Sequence, residues 1–304
     1  MKRNRVSFAL LVYSLLLPLS AQAQRTFVSA QHGSDANPCS VTSPCRTFTA
    51  AIAAVPAGGE VVVLDSGGFG AVTITQPVTI AAPAGVHAGI HVASGDAITV
   101  SAPGIVTLRG LVMNGGPGNG IAVNSVGTLN VENCSITGFV DSGIKMLSGG
   151  ELTVKGTDIA ACTRGIAIEN SSGLVQASID HCHLDGNTDG FYAATTSPGT
   201  STTTATYTTA NHNLYGWICG NGVTNGKDIL NLEYCTGSEG TWGLAGFSTN
   251  AQSVARYSNC IFANNTQLGV QQANSVTIES RGNNTITGNA LGPTSGTIGS
   301  FSPI

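Results

Sequence analysis

Asn133-Cys134-Ser135-Ile136, followed by Gly143-Ile144, decides the fold, because the phrase comes back. It returns as Asp158-Ile159 with Gly165-Ile166, and as Cys182-His183-Leu184 with Gly190-Phe191. Two further copies are Glu233-Tyr234-Cys235 with Gly243-Leu244 and Cys260-Ile261-Phe262 with Gly269-Val270. A unit recurring at roughly twenty to thirty residues implies a solenoid or a propeller, in which each unit buries its apolar side only against its neighbours.

Outward from these copies the chain reads as short strands between turns. Val61-Val62-Val63-Leu64, Val72-Thr73-Ile74, Val78-Thr79-Ile80, Ile98-Thr99-Val100 and Ile105-Val106-Thr107-Leu108 are β-branched and alternating. They lie too close together for βαβ units, which need a helix in every crossover. A parallel β-helix fits, with residues of one phase stacking along the axis. The recurrent Gly is expected to supply a turn with positive φ. Asn264-Asn265 and Asn283-Asn284 are expected to form ladders of side-chain amides. Residues 61–290 leave room for nine or ten coils, and residues 291–304 read as a tail or a second cap.

An N-terminal cap is expected over residues 24–60. Thr26-Phe27-Val28-Ser29 reads as a strand. Ser43 as N-cap and Pro44 at the first helical position start a helix in which Phe48, Ile52 and Val55 form one apolar stripe. Pro56-Ala57-Gly58-Gly59 stops it. Before the cap, Lys2, Arg3 and Arg5 precede an apolar run that ends at Ala21-Gln22-Ala23, the pattern of a secretory signal over residues 1–23. That predicts a secreted protein, periplasmic or extracellular, with no membrane span after cleavage. Removing those three residues from the chain's 12 basic ones leaves 9 against 16 acidic, a net charge of −7. Such a balance disfavours nucleic acid and anionic lipid as partners.

All eight cysteines follow the expected signal. Cys39 and Cys45 flank a short loop between prolines and are expected to pair. Cys134, Cys182, Cys235 and Cys260 share one phase of the repeat and are expected to pack inward as small apolar residues. A bridge between Cys235 and Cys260 on neighbouring coils is the alternative for that pair.

Arg25-Thr26-Phe27-Val28-Ser29, then Asn37-Pro38-Cys39 and Pro44-Cys45-Arg46-Thr47-Phe48, open the chain in a way that resembles the right-handed parallel β-helix proteins of the pectin-lyase-like superfamily. The likeness is to exported bacterial members without an assigned function. It implies an all-β, right-handed parallel β-helix with a short N-terminal capping helix. The superfamily contains lyases, hydrolases, epimerases, tailspikes and adhesins, so the fold leaves the activity open.

Several residues are candidates for chemistry. Asn187-Thr188-Asp189-Gly190 looks like the Asn-Thr-Asp-Gly motif of polygalacturonases, but the Asp-Asp, Gly-His-Gly and Arg-x-Lys motifs of that family do not follow it. An ordinary repeat turn explains it equally. Asp180-His181-Cys182-His183-Leu184-Asp185 is the densest titratable cluster. With Cys182 inward, His181 and His183 are expected on one outer face, near His212. Asp185, Asp189 and His183 are therefore the candidates for acid and base, and His181 and His183 with Asp180 or Asp185 and His212 for holding zinc, against the reading that they are surface residues. No metal set and no cofactor is expected. Calcium would enter only with lyase chemistry, for which Asp158 with Arg164, or Lys145 with Glu169, are pairs of interest.

Among the aromatics, Trp217 and Trp242 adjoin repeat glycines and are expected in the core. Tyr207 and Tyr215, with His181, are the surface candidates for contact with a sugar. Thr195 to Thr209 breaks the pattern and reads as a loop leaving the coil at Ser197-Pro198-Gly199, followed by a strand Thr202 to Tyr207. The leading expectation is a noncatalytic protein facing a polysaccharide or a cell-surface glycan. A polysaccharide-active hydrolase or lyase working from the Asp180–Asp189 cluster is the second. A structural spacer is the third, and self-association stays open.

Overall fold

The computed structural model describes residues 25–220 and 225–302. The expected signal segment lies outside the described residues. The described chain is almost all β: a parallel solenoid of about nine turns with one short helix near its start.

Each turn crosses three faces in a fixed order. A middle turn shows it: Gly150–Lys155 lies on the first face, Asp158–Ala160 on the second and Arg164–Ile168 on the third. Every pairing is parallel and connects equivalent positions, such as Leu152 with Ala177 and Ile166 with Phe191. Alternation then sends one set of side chains inward on every coil. Val106, Leu129 and Leu152 stack in register as one such row, and Leu108, Val131 and Val154 as the next. These rows are buried and form one continuous core. Each such aliphatic side chain contributes about 1.5–3 kcal/mol on burial.

Two corners per coil are made by residues at positive φ. At the corner between the first and second faces they are Gly110, Asn133, Gly156, His181, Tyr207, Tyr234 and Asn259. Side-chain amides reinforce the corners. Asn259 and Asn283 bond to one another, and the Asn265 amide donates to Asn289 at 2.9 Å, as expected of these turns.

The recurrent Gly has a different reason from the expected one. Gly143, Gly165, Gly190, Gly216, Gly243 and Gly269 do not adopt positive φ. They stack on one another along the third face. A Cβ on Gly143 would lie 2.7 Å from the Gly165 carbonyl oxygen, one on Gly190 2.6 Å from that of Gly216, and one on Gly243 2.5 Å from that of Gly269. Close approach of backbones, rather than handedness, excludes every larger residue there.

At the N-terminal end, Arg25–Val28 pairs with Gly59–Val63, and Phe48, Ala51 and Ile52 bury against the first coils. The Cys39–Cys45 disulfide is present. The helix spans Phe48–Ala54 with Thr47 as N-cap, so the expected start at Ser43 and Pro44 is four residues early. Cys45 explains the delay. It pairs with Val28 as a β-bridge, its N–H donating to Phe27 and its carbonyl accepting from Ser29, which holds Pro44-Cys45 extended.

The Thr-rich segment carries the expected strand, which begins two residues earlier than read. Thr200–Thr206 is a regular strand of the first face, paired with Leu174–Asp180 and Lys227–Glu233. Only the turn around Thr196 to Gly199 leaves the coil, because threonine's β-branched side chain suits a strand as well as a loop. Past residue 290 the ladders continue, with Gly292–Ser295 on the third face and Ile298–Ser300 on the first.

Candidate functional site

The Asp180–Asp189 cluster converges only in part: His183 Nδ1 and Asp185 Oδ2 lie 3.9 Å apart, while Asp180, His181 and Asp189 stand elsewhere. His181 and Gly186 both take positive φ, so the chain turns two corners within nine residues and distributes the cluster over three faces. His181 Nδ1 meets Asp180 Oδ1 at 2.8 Å on the first corner. His183 lies on the second face with Nδ1 3.0 Å from Thr209 Oγ1. Asp185 accepts from Thr209 Oγ1 and, at 2.6 Å, from the Asn211 N–H, which makes it a bracket between coils. His212 pairs with Glu239 at 2.8 Å. The expected common face for His181 and His183 is thus absent, since the corner at His181 breaks the alternation. Among the described residues no group of three His, Cys, Asp or Glu stands ready to hold a metal ion.

Tyr207 is exposed, yet its ring is sandwiched. His181 stacks at 5.0 Å on one side and Tyr234 at 4.9 Å on the other. Only ring edges and the hydroxyl remain available, so face-on stacking of a sugar has no place at Tyr207.

Asp189 belongs elsewhere, on the outer side of the third face, where the side chains preceding each repeat Gly point. Arg164, Asp189, Tyr215 and Trp242 hold equivalent positions on successive coils. Lys145, two residues after Gly143, points to the same side. Its amine bonds Asp141 at 2.8 Å and Glu169 at 2.9 Å. Arg164 Nη1 reaches Glu169 at 2.9 Å and Asp141 at 3.5 Å, while its guanidinium lies 4.3 Å from the centre of the Tyr192 ring. The Lys145–Glu169 pair expected from the sequence is present. Arg164 meets Asp141 and Glu169 in place of the expected Asp158, which sits on the second face.

Electrostatics follow from these contacts. Burial alone would lower the Lys145 amine, but the bonds to Asp141 and Glu169 raise it overall. Burial also works to raise Asp141, but Lys145, Ser142 and Arg164 together outweigh it, so that carboxyl is lowered. Asp189 is the exception. Its side chain is 12% exposed, its nearest cation is Arg164 Nε at 3.8 Å, and among the described residues it accepts no side-chain hydrogen bond. Burial pushes its carboxyl up to about 6, with Arg164 pulling against the shift.

The proton linkage gives a testable sign. An unfolded Asp titrates near about 3.9. The native state therefore holds the proton more tightly, and stability falls as pH rises from about 4 through about 6. Asp189→Asn is expected to be more stable than the parent by about 1–2 kcal/mol at pH 7.5 and equal to it at pH 4. Urea midpoints at the two pH values check this, and a pH-independent difference would contradict it.

The rest of the site is apolar. Ala167, Tyr192, Ala194 and Ile218 form a buried cluster separate from the solenoid core, with Tyr215 and Phe247 packed on it. Tyr215 stacks on Trp242 at 4.6 Å and meets Phe247 edge-on. Trp217 is fully buried as expected, but Trp242 is half-buried on the outer face. The ladder skips the repeat glycine, which breaks the alternation there: Trp217 follows its glycine into the core, whereas Trp242 precedes Gly243 and stays outside.

Comparison with known proteins agrees with this architecture. The family described as the right handed beta helix region matches residues 61–210. The described residues fold as a parallel β-helix, and over residues 61–210 the chain is similar to right-handed β-helix proteins. It is similar in fold to the pectate lyase Pel9A, with a TM-score of 0.66 and 15% identity over 90% of this chain and 79% of that one. An alginate lyase from Paenibacillus sp. str. FPU-7 gives a TM-score of 0.61 and 13% identity over 90% and 99% of the two chains. ORF18 of Geobacillus virus E2 gives 0.60 and 13%, over 91% of this chain and 60% of that one. At these identities the likeness concerns the fold. No curated protein matches the chain.

Proposed function

We propose that this chain is a noncatalytic polysaccharide-binding protein that takes neutral glycan along the outer third face, between Lys145 and Trp242. One observation carries the reading. Outward side chains that a bare solenoid would leave in water are buried as a second apolar cluster, with a charged network at one end and the Tyr215–Trp242 pair at the other. The buried cluster backs the half-exposed Tyr215–Trp242 pair, and an aromatic face with charged groups beside it suits sugars, which present both C–H surface and hydroxyls.

Charge supports a neutral ligand. Each cation of the network is bound to two carboxylates, and with Asp189 ionised the five groups sum to one negative charge. A uronate would enter beside three carboxylates with no uncommitted cation to meet it. The same pairing supports the noncatalytic reading. Lys145 is held protonated, which removes it as a base. Asp141 and Glu169 are engaged, whereas inverting hydrolysis needs a second carboxylate free to activate water.

Calorimetric titration with neutral galactan, glucan and xylan oligosaccharides, beside polygalacturonate and alginate, tests the reading together with product analysis. The expected result is binding of a neutral glycan without shortened chains, weakened about tenfold by Trp242→Ala, equivalent to about 1.4 kcal/mol. A second reading has one observation in its favour, since a carboxyl near 6 suits a general acid. Depolymerisation that disappears in Asp189→Asn would establish that reading and sink the first.

A further inference from the structure

We propose that Cys235 and Cys260 are a site of covalent cross-linking, forming a second disulfide that ties two successive coils together beneath the first corner. Six cysteines are free and buried. Four of them share one row of the core, directly after the corner residue. Coil by coil, the row is Cys134, Thr157, Cys182, Thr208, Cys235, Cys260 and Asn284. Elsewhere a hydroxyl separates the thiols. Only Cys235 and Cys260 occupy consecutive coils.

Their register is fixed on both sides. Glu233 pairs with Ser258, and Thr236 bridges Ile261, so Cys235 lies opposite Cys260. Neighbouring strands run about 4.8 Å apart, within the Cα separations of about 4.4–6.8 Å that disulfides use. The Cys39–Cys45 bridge of this chain spans a Cα–Cα distance of 4.6 Å. Their mutual influence raises the Cys235 thiol and lowers Cys260, which makes Cys260 the better nucleophile of the pair.

The chemistry balances with a small disulfide such as oxidised glutathione. As the coils loosen, the Cys260 thiolate attacks one glutathione sulfur and expels the other glutathione as its thiolate. Cys235, deprotonated in turn, attacks the Cys260 sulfur of the mixed disulfide and expels the second glutathione. Two cysteine thiols lose two electrons and two protons, and one oxidised glutathione becomes two reduced ones. No equivalent partner exists for Cys134, between Leu111 and Thr157, or for Cys182, between Thr157 and Thr208.

Tryptic mapping isolates the event. Cleavage after Lys227, Arg256 and Arg281 puts Cys235 in the peptide 228–256 and Cys260 in 257–281, each with no other cysteine. The full chain is equilibrated in a glutathione redox buffer, alkylated in guanidinium and digested. The expected result is a cross-linked 228–256/257–281 species, lighter by about two protons than its separate reduced peptides and lost on reduction. In Cys260→Ser, Cys235 should be fully alkylated. Alkylation of both peptides in wild type, in a sample where Cys39 and Cys45 are already bridged, would overturn the proposal. So would linkage of Cys235 to the peptide carrying Cys182 and Cys219.

Discussion

Gly216→Ala is expected to destabilise the chain by about 3 kcal/mol, while Gly186→Asn costs less than about 1 kcal/mol. The two glycines belong to different rows, and the contrast separates two uses of the residue. At Gly216 a Cβ would lie 2.6 Å from the Gly243 oxygen, 2.9 Å from the Ala210 oxygen and 3.1 Å from the Gly237 Cα. All three are backbone atoms of packed coils, so relief requires coils to separate and parallel hydrogen bonds to lengthen. At Gly186 the φ is +70°, and a Cβ meets nothing within 4 Å. Its stacking neighbours Ala161 and His212 already hold φ of 55° and 56° with side chains. Urea denaturation of both variants tests the assignment. Equal losses would mean that the glycine row is a conformational requirement after all.

This difference bears on how much the sequence could say. The Gly-apolar pairs carry the coil period and the inward phase directly, which is why the solenoid was legible. The same pairs also mark the outer third face. Arg164, Asp189, Tyr215 and Trp242 each stand immediately before a repeat glycine, the position that lies outside the core on every such coil, while Trp217 stands one place after its glycine, where the core residues stand. The row cysteine likewise marks the corner, because Asn133, His181, Tyr234 and Asn259 each precede one. Reading His181 as a corner would have dispersed the Asp180–Asp189 cluster before any coordinates.

Other features have no local signal. Arg164 bonds Glu169 and Asp141 because two coils bring residues from three strand ends together, and sequence distance does not encode that approach. The burial of Tyr192 and Ile218 on an outward face depends on Tyr215 and Phe247 packing against them from other coils. The carboxyl of Asp189 titrates high for the same reason, as burial is a property of the assembled face. Likewise His181, Tyr207 and Tyr234 tolerate left-handed backbone at φ of 47–54° while their rings stack on one another. That stacking offsets a conformational cost of about 1 kcal/mol or more at each residue, which a propensity scale alone would count against them.

Trp217→Ala should have the largest effect of any single core substitution, about 3–5 kcal/mol. Trp217 is the largest fully buried side chain, and its coil neighbours on the first face are small: Ala177, Ser201, Thr203 and Ala205. The indole fills the width that those residues leave, and a parallel solenoid cannot contract locally without breaking its register. Removal also takes away the Nε1 donor that the Thr236 carbonyl accepts at 2.8 Å, and leaves Phe191 without its ring neighbour at 5.9 Å. Trp217→Phe should recover most of the packing and lose mainly that hydrogen bond, a cost of about 1–2 kcal/mol. Trp242→Ala gives the complementary outcome. It loses a half-exposed stack with Tyr215, about 1 kcal/mol of stability, yet should weaken glycan binding about tenfold. Stability and binding are thus expected to divide between two tryptophans on adjacent coils according to the side of the strand each one faces. A Trp242→Ala variant that unfolds as readily as Trp217→Ala would place both in one packing unit and remove the aromatic pair from the candidate site.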